Sequence, residues 1–128
     1  MRLLLDTHLL IWAVSDPKRL STTALALFND ETNQLFFSAA SIWEIAIKAS
    51  HKRPDFLVNV PELHAELLRN GYCELAVTSE HTFGVAHMVH LHKDPFDRLL
   101  LAQAIREDLT LMTSDEILAS YPGPVLKV

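Results

Sequence analysis

Cysteine is nearly missing from this chain, with Cys73 the only one among 128 residues. That excludes an internal disulfide and fits a reducing, cytoplasmic setting; Cys73, within the apolar GYCELAV run, reads as a small buried hydrophobe. Glycine is scarce too, with three in all, so there is no Gly-rich linker to divide domains and no glycine-rich phosphate loop. No uninterrupted apolar run approaches the ~20 residues of a membrane span. The apolar start, RLLLDTHLLIWAV, is interrupted by Asp6 and His8 and followed by no convincing cleavage site, which argues against a secretory signal. Positive charge is in deficit as well, with 11 Lys and Arg against 16 Asp and Glu and a net charge of −5. A surface attracting nucleic acid all over is thereby excluded; an anionic ligand needs bound cations, a local basic patch, or both.

What is present is hydrophobic material: 49% of residues are hydrophobic and 21% charged, enough to close one core. With no internal repeat or low-complexity tract, residues 1–128 form a single domain. Leu3 to Leu5 read as a strand, HLLIWAV as a helix stopped by Asp16-Pro17, and Ser21 as the cap of a second helix running to about Asn29. QLFFS is a buried strand and AASIWEIAIKAS a third helix. HKRPDFLVNVP is a connector, and Pro61 opens a helix ending at Asn70-Gly71. A strand over 73–77, a helix from Thr78 or Ser79 to about Val89, a helix capped by Asp94, the strand LTLMT, a short helix after Asp115 and a final VLKV strand complete the chain. Short apolar strands alternating with helices predict a three-layer α/β/α sandwich with a mostly parallel central sheet.

Acidic residues raise the functional question. Asp94 and Pro95 suffice to start the helix PFDRLLLAQAI, yet Asp97 follows them at the head of an apolar face made by Leu100, Leu101, Ala104 and Ile105. The helix dipole explains why a carboxylate is tolerated there, not why it points toward the core. Asp6 after the first strand and Asp115 after LTLMTS can each be a helix cap, with Ser114 an alternative to Asp115. Glu44 stands at capping-box spacing from Ser41 and at ion-pair spacing from Lys48. On a helix otherwise apolar, Ser41, Glu44 and Lys48 make a narrow polar stripe that either lines a cleft or faces water.

Topology offers a common explanation. In an open parallel sheet the strand C-terminal ends and the helix starts that follow share one edge, where ligands bind at a switch in strand order. Asp6, Glu44, Asp97 and Asp115 gathered there would repel one another unless cations neutralised them. Hard divalent ions, Mg²⁺ in particular, suit such oxygen donors together with water and substrate phosphate. The expected chemistry is metal-assisted phosphodiester hydrolysis.

With these residues in place, the chain resembles the PIN-domain family, specifically the VapC-like toxin ribonucleases of toxin–antitoxin pairs. The resemblance rests on LLLDTHLLIW, SAASIWEIAIK, HKDPFDRLLLAQA and LMTSD, which occur in the family's order over nearly the whole chain. It implies that Asp6, Glu44, Asp97 and Asp115 hold Mg²⁺ or Mn²⁺ and direct endonucleolytic cleavage of RNA. It further implies that Thr7 and Ser114 orient a carboxylate or a bound water, and that the protein dimerises and is held inactive by an antitoxin. The chain departs from the family at His8, where many relatives have Asn or Ser, and at ASHKRP, where many carry a Gly-Lys-Leu-like element.

Lys48, His51, Lys52 and Arg53 form a small basic patch, either a solvated helix end or a contact for RNA or a partner, and Arg98 is a candidate for the same contacts or for pairing with Asp94. His87, His90 and His92 match no common zinc spacing. Phe28, Phe36, Phe37, Trp43 and Phe96 read as core, whereas Trp12 lies on a helix that a dimer partner or an antitoxin helix could cover. Two alternatives to the nuclease stand: a catalytically idle PIN-like binding module, and a Mg²⁺-dependent phosphoacceptor domain. The latter lacks a second acid beside Asp6 and a site lysine after the last strand.

Overall fold

The computed structural model describes residues 1–89 and 93–128. Five strands form one sheet: β1 (Arg2–Leu5), β2 (Gln34–Ser38), β3 (Cys73–Leu75), β4 (Thr110–Thr113) and β5 (Val125–Lys127), in the order β3-β2-β1-β4-β5. Every neighbouring pair is parallel. The helices are α1 (Thr7–Ser15), α2 (Thr22–Asn29), α3 (Ala39–Ser50), α4 (Val60–Arg69), α5 (Ser79–Ala86), α6 (Pro95–Glu107) and α7 (Glu116–Ala119). A short 3₁₀ turn over Pro17–Arg19, which the sequence pattern does not reveal, follows the Asp16-Pro17 break.

The order explains where the helices lie. From β1 the chain moves outward to β2 and β3, then returns past β1 to β4 and β5. Because parallel crossovers are right-handed, that reversal sends the later helices to the opposite face. The alternation of side chains along β1 matches: Leu3 and Leu5 join the core formed with Leu9, Leu10, Ile45 and Leu67, while Leu4 joins Leu100, Leu101, Ala104 and Leu118 on the other face. A sheet buried on both sides needs strands that are apolar at successive positions, and LLL of β1 and LM of β4 supply them. The three-layer parallel sandwich is as predicted.

Local chemistry fixes the element ends. Ser21 accepts the Ala24 N–H at 3.1 Å and Asn59 accepts the Glu62 N–H at 3.1 Å, each satisfying an orphan donor of the first turn. Helix α4 ends where Gly71, at φ 84°, lets its N–H reach the Leu68 carbonyl while the Tyr72 N–H reaches that of Leu67, a paired closure that favours glycine. Two expected elements are shorter than read. β3 ends at Leu75 rather than Val77, and α5 ends at Ala86 rather than near Val89. Val77 and Val89 are both exposed, so no burial extends either element to them. Among the described residues no helix is long and apolar enough to cross a membrane.

Two packing expectations need correction. Trp43, read as core, is 61% exposed, and Ile47 one turn later is 38% exposed. Helix α3 buries Ala40, Ser41, Glu44 and Ile45 instead, so its inward stripe is partly polar. Cys73 is half-buried rather than enclosed, because β3 is an edge strand; its sulfur lies 3.5 Å from Gln34 Nε2.

Candidate active site

The reversal in strand order falls between β1 and β4, and that is where Asp6 sits. Its N–H donates to the Met112 carbonyl at 3.0 Å, extending the β1–β4 pairing by one step. One carboxylate oxygen accepts the Leu9 N–H at 2.9 Å and so caps α1. The other accepts the Thr113 hydroxyl. Asp6 is only 2% exposed, and burial pushes its pKa above the ordinary 3.8; the nearby Asp115 charge pushes the same way, while its hydrogen bonds and His8 oppose. One oxygen therefore caps the helix and the other binds Thr113, so the carboxylate is fixed from both sides at the switch point.

Thr113 is the residue that sequence reading missed. Fully buried at the end of β4, its hydroxyl donates to Asp6 and accepts the Asp115 N–H at 3.0 Å, tying the two acids across the switch point. Asp115 in turn caps α7, accepting the N–H groups of Ile117 at 2.8 Å and Leu118 at 3.1 Å. The signal was available: LTLMT places a polar hydroxyl at the buried end of an apolar strand, next to an acid. The neighbours expected to support the site are placed differently. Thr7 is buried and its hydroxyl donates to Ser41 Oγ at 3.0 Å, while Ser114 is half-buried beside Asp115. Replacing Thr113 by Val, which keeps the shape and removes the hydroxyl, is expected to lower activity by roughly 10–100-fold, the usual cost of losing a group that orients an acid. Serine at the same position should restore most of it, as measured by initial cleavage rates.

Glu44 approaches the same edge from α3. The cap of α3 is Ser38, whose side chain accepts the Ala40 N–H at 3.0 Å, so the Ser41–Glu44 spacing does not form a capping box. Ser41 is held by Thr7, the residue after Asp6, and Glu44 follows one turn later. The polar stripe thus faces inward: Ser41 is 1% and Glu44 8% exposed. Lys48 Nζ lies 3.7 Å from Glu44 Oε2, while Glu44 Oε1 is buried with no hydrogen-bond partner among the described residues. A carboxylate oxygen in that state is costly unless something positive completes it.

Asp97 lies half-buried in the first turn of α6, its N–H directed at the capping Asp94. Asp94 accepts the Phe96 N–H at 2.9 Å, so it is the cap as expected. Among the described residues no group of three or more His, Cys, Asp or Glu side chains is close enough to grip a metal ion directly. The acids are therefore not a ready-made protein cage. They still suit Mg²⁺ or Mn²⁺ chemically, because Mg²⁺ is usually held by one or two carboxylates, with water and substrate phosphate filling the remaining positions. Glu44, whose Oε1 has no partner among the described residues, and the desolvated Asp6 could serve as donors in that mode.

Three of the basic candidates are engaged by neighbours. Lys48 is bound to Glu44, Arg53 Nε lies 3.5 Å from Asp55, and Arg98 donates to the Val85 carbonyl at 3.3 Å. Exposed Lys52 takes a left-handed conformation at φ 53° just after α3. His8 is exposed and lies against Trp12 with ring centroids 6.0 Å apart. His87 is exposed, and the remainder of the histidine motif, His90 and His92, lies outside the described residues. Lys127, the lysine nearest to what a phosphoacceptor site would require, bonds exposed Glu116 at 3.2 Å.

The PIN domain family matches residues 3–124. Ribonuclease VapC22 of Mycobacterium tuberculosis is 30% identical over 121 residues, covering 94% of this chain and 92% of the relative. Among solved structures, VapBC2 from Rickettsia felis bound to a DNA fragment from its promoter aligns with TM-score 0.72 at 17% identity, covering 99% of this chain and 98% of that one. VapBC-1 from nontypeable Haemophilus influenzae aligns with TM-score 0.63 at 15% identity, with coverage of 99% and 98%.

Proposed function

Since the chain belongs to the PIN domain family, we propose that it is an endoribonuclease dependent on Mg²⁺ or Mn²⁺ that acts in the cytoplasm as the toxin of a toxin–antitoxin pair. The observation that carries this reading is the buried Glu44 oxygen, which has no partner among the described residues, on the helix whose Ser41 is bonded to Thr7, the residue after the desolvated Asp6. Asp6, Glu44, Asp97 and Asp115 are the residues that would hold the ion. When bound, it would lower the pKa of water and offset the charge that builds on the phosphate.

The chain's own groups do the rest. Thr113 fixes the orientation of Asp6 and its spacing from Asp115. Capping bonds hold Asp6 and Asp115 at their helix starts, so neither carboxylate swings when a phosphate arrives. Lys48 limits the repulsion that Glu44 exerts on an incoming polyanion. Antitoxin partnership is supported by the VapBC complexes to which the fold is similar, and a homodimer is expected from the family resemblance.

The test is cleavage of a structured RNA mixture by antitoxin-free protein with Mg²⁺ or Mn²⁺, beside an EDTA control and Asp97→Asn. Discrete products are expected only with metal and the parent chain, the variant being slower on the order of a hundred-fold or more. The lack of a three-ligand group among the described residues favours one other reading, the catalytically idle binding module. Absence of cleavage in either metal, with RNA binding intact, would select it.

A further inference from the structure

Tryptophan is the side chain that loses most by facing water, and Trp43 is 61% exposed on the helix that carries Glu44. It is not loose. Its ring packs edgewise on Phe96 of α6, centroids 5.1 Å apart and planes at 64°. Phe96 is itself anchored in the first turn of α6, its N–H bonded to Asp94. Each ring of the pair is the chain neighbour of a candidate metal-binding acid, Glu44 for Trp43 and Asp97 for Phe96. The aromatic contact therefore joins the same two helices that bring those acids to the site. On the same helix the Lys48 side chain, paired with Glu44, remains 41% exposed.

We infer that Trp43 is a positioning residue for substrate, its indole stacking on an unpaired base of the strand whose phosphodiester lies at the acidic edge. The inference rests on the ribonuclease reading and takes it further by assigning a side chain that positions the RNA. Charge supports it. At a net charge of −5 the chain gains little from general attraction to phosphate. A contact insensitive to salt therefore adds to what bound cations or a local basic patch supply, and base stacking on an aromatic ring is one that every nucleotide can make. Sequence-specific recognition of RNA falls mostly on unpaired bases, which alone present a free face to a ring. The chain's other tryptophan, Trp12, does not offer one, because it is half-buried with the Arg19 guanidinium 4.9 Å from its ring centre.

Tryptophan emission, followed while a single-stranded oligoribonucleotide is added in EDTA, separates binding from cutting. The parent protein should be quenched, and Trp43→Phe should lose most of the quenching while keeping its affinity within about two-fold. Trp43→Ala should bind roughly ten-fold or more weakly and, with Mg²⁺ restored, raise KM more than it lowers kcat. A duplex of equal length should fail to reproduce the quenching. Parent-like affinity in Trp43→Ala overturns the inference, as does no binding by the parent. Dissociation of a self-associated protein in that variant, with RNA affinity unchanged, also overturns it and makes the ring a contact between copies. Quenching without any cleavage by the parent sustains the stacking contact and rejects the ribonuclease reading.

Discussion

Asp6→Asn is expected to abolish measurable RNA cleavage, a loss on the order of a hundred-fold or more, while leaving the protein at least as stable as its parent. Both halves follow from the same carboxylate. Asparagine caps a helix as well as aspartate does, so the bond to the Leu9 N–H survives. What disappears is a charge held out of water and facing Asp115. Because burial raises the Asp6 pKa above 3.8, the folded state binds that proton more tightly than the unfolded chain. Its contribution to stability is greatest below the unfolded pKa, falls as pH rises toward the folded pKa, and stays at its low level above it. Asparagine removes that penalty. Thermal melts of parent and variant across acid to neutral pH should therefore converge at low pH and separate above it, the variant being higher. Metal affinity of the parent should move the other way, rising with pH, because only the ionised acid is a ligand. A variant that still cuts RNA at the parent's rate would show that Asp6 is merely a cap.

Phe37→Ala should cost about 3–5 kcal/mol, a large share of the ~5–15 kcal/mol available to a domain. Phe37 is fully buried in β2, one strand from the centre of the sheet, and meets His64 of α4 edge-on with centroids 5.8 Å apart. Its removal leaves a cavity between β2 and α4 that rigid neighbours cannot close. The following residue, Ser38, caps the helix that delivers Glu44, so the damage reaches the site as well. Urea denaturation followed by circular dichroism should show a lower midpoint with an unchanged slope. Cleavage measured where the variant is still folded should fall less than for Asp6→Asn, since none of the proposed metal-binding acids is altered.

The fold was legible because its signals are local and repeated. Apolar runs, caps at Ser21, Asp94 and Asp115, and the Asn70-Gly71 stop each mark an element end by their own chemistry. Asp6 and Asp115 were legible as neighbours because residues that follow adjacent strand ends fall on one sheet edge in a parallel fold. What was not legible depends on which face of a helix meets the sheet. SIWEIAIK has apolar residues on nearly every side, so periodicity alone could not tell that Glu44 turns inward and Trp43 outward. Thr113 escaped for a related reason, because one hydroxyl that contacts two acids is a product of register between β1 and β4, and register is a property of pairs of strands.

That register has a further consequence. The Asp6 N–H is itself bonded to the Met112 carbonyl, so the candidate metal-binding acid is continuous with the innermost strand pair of the molecule. Local openings that fray loops and edges do not reach such a pair, which parts only when the whole domain unfolds. Asp6 and the fold are therefore lost in one event, and an activity anchored there can be restrained by covering the site, but not by loosening the acid in a protein that stays folded.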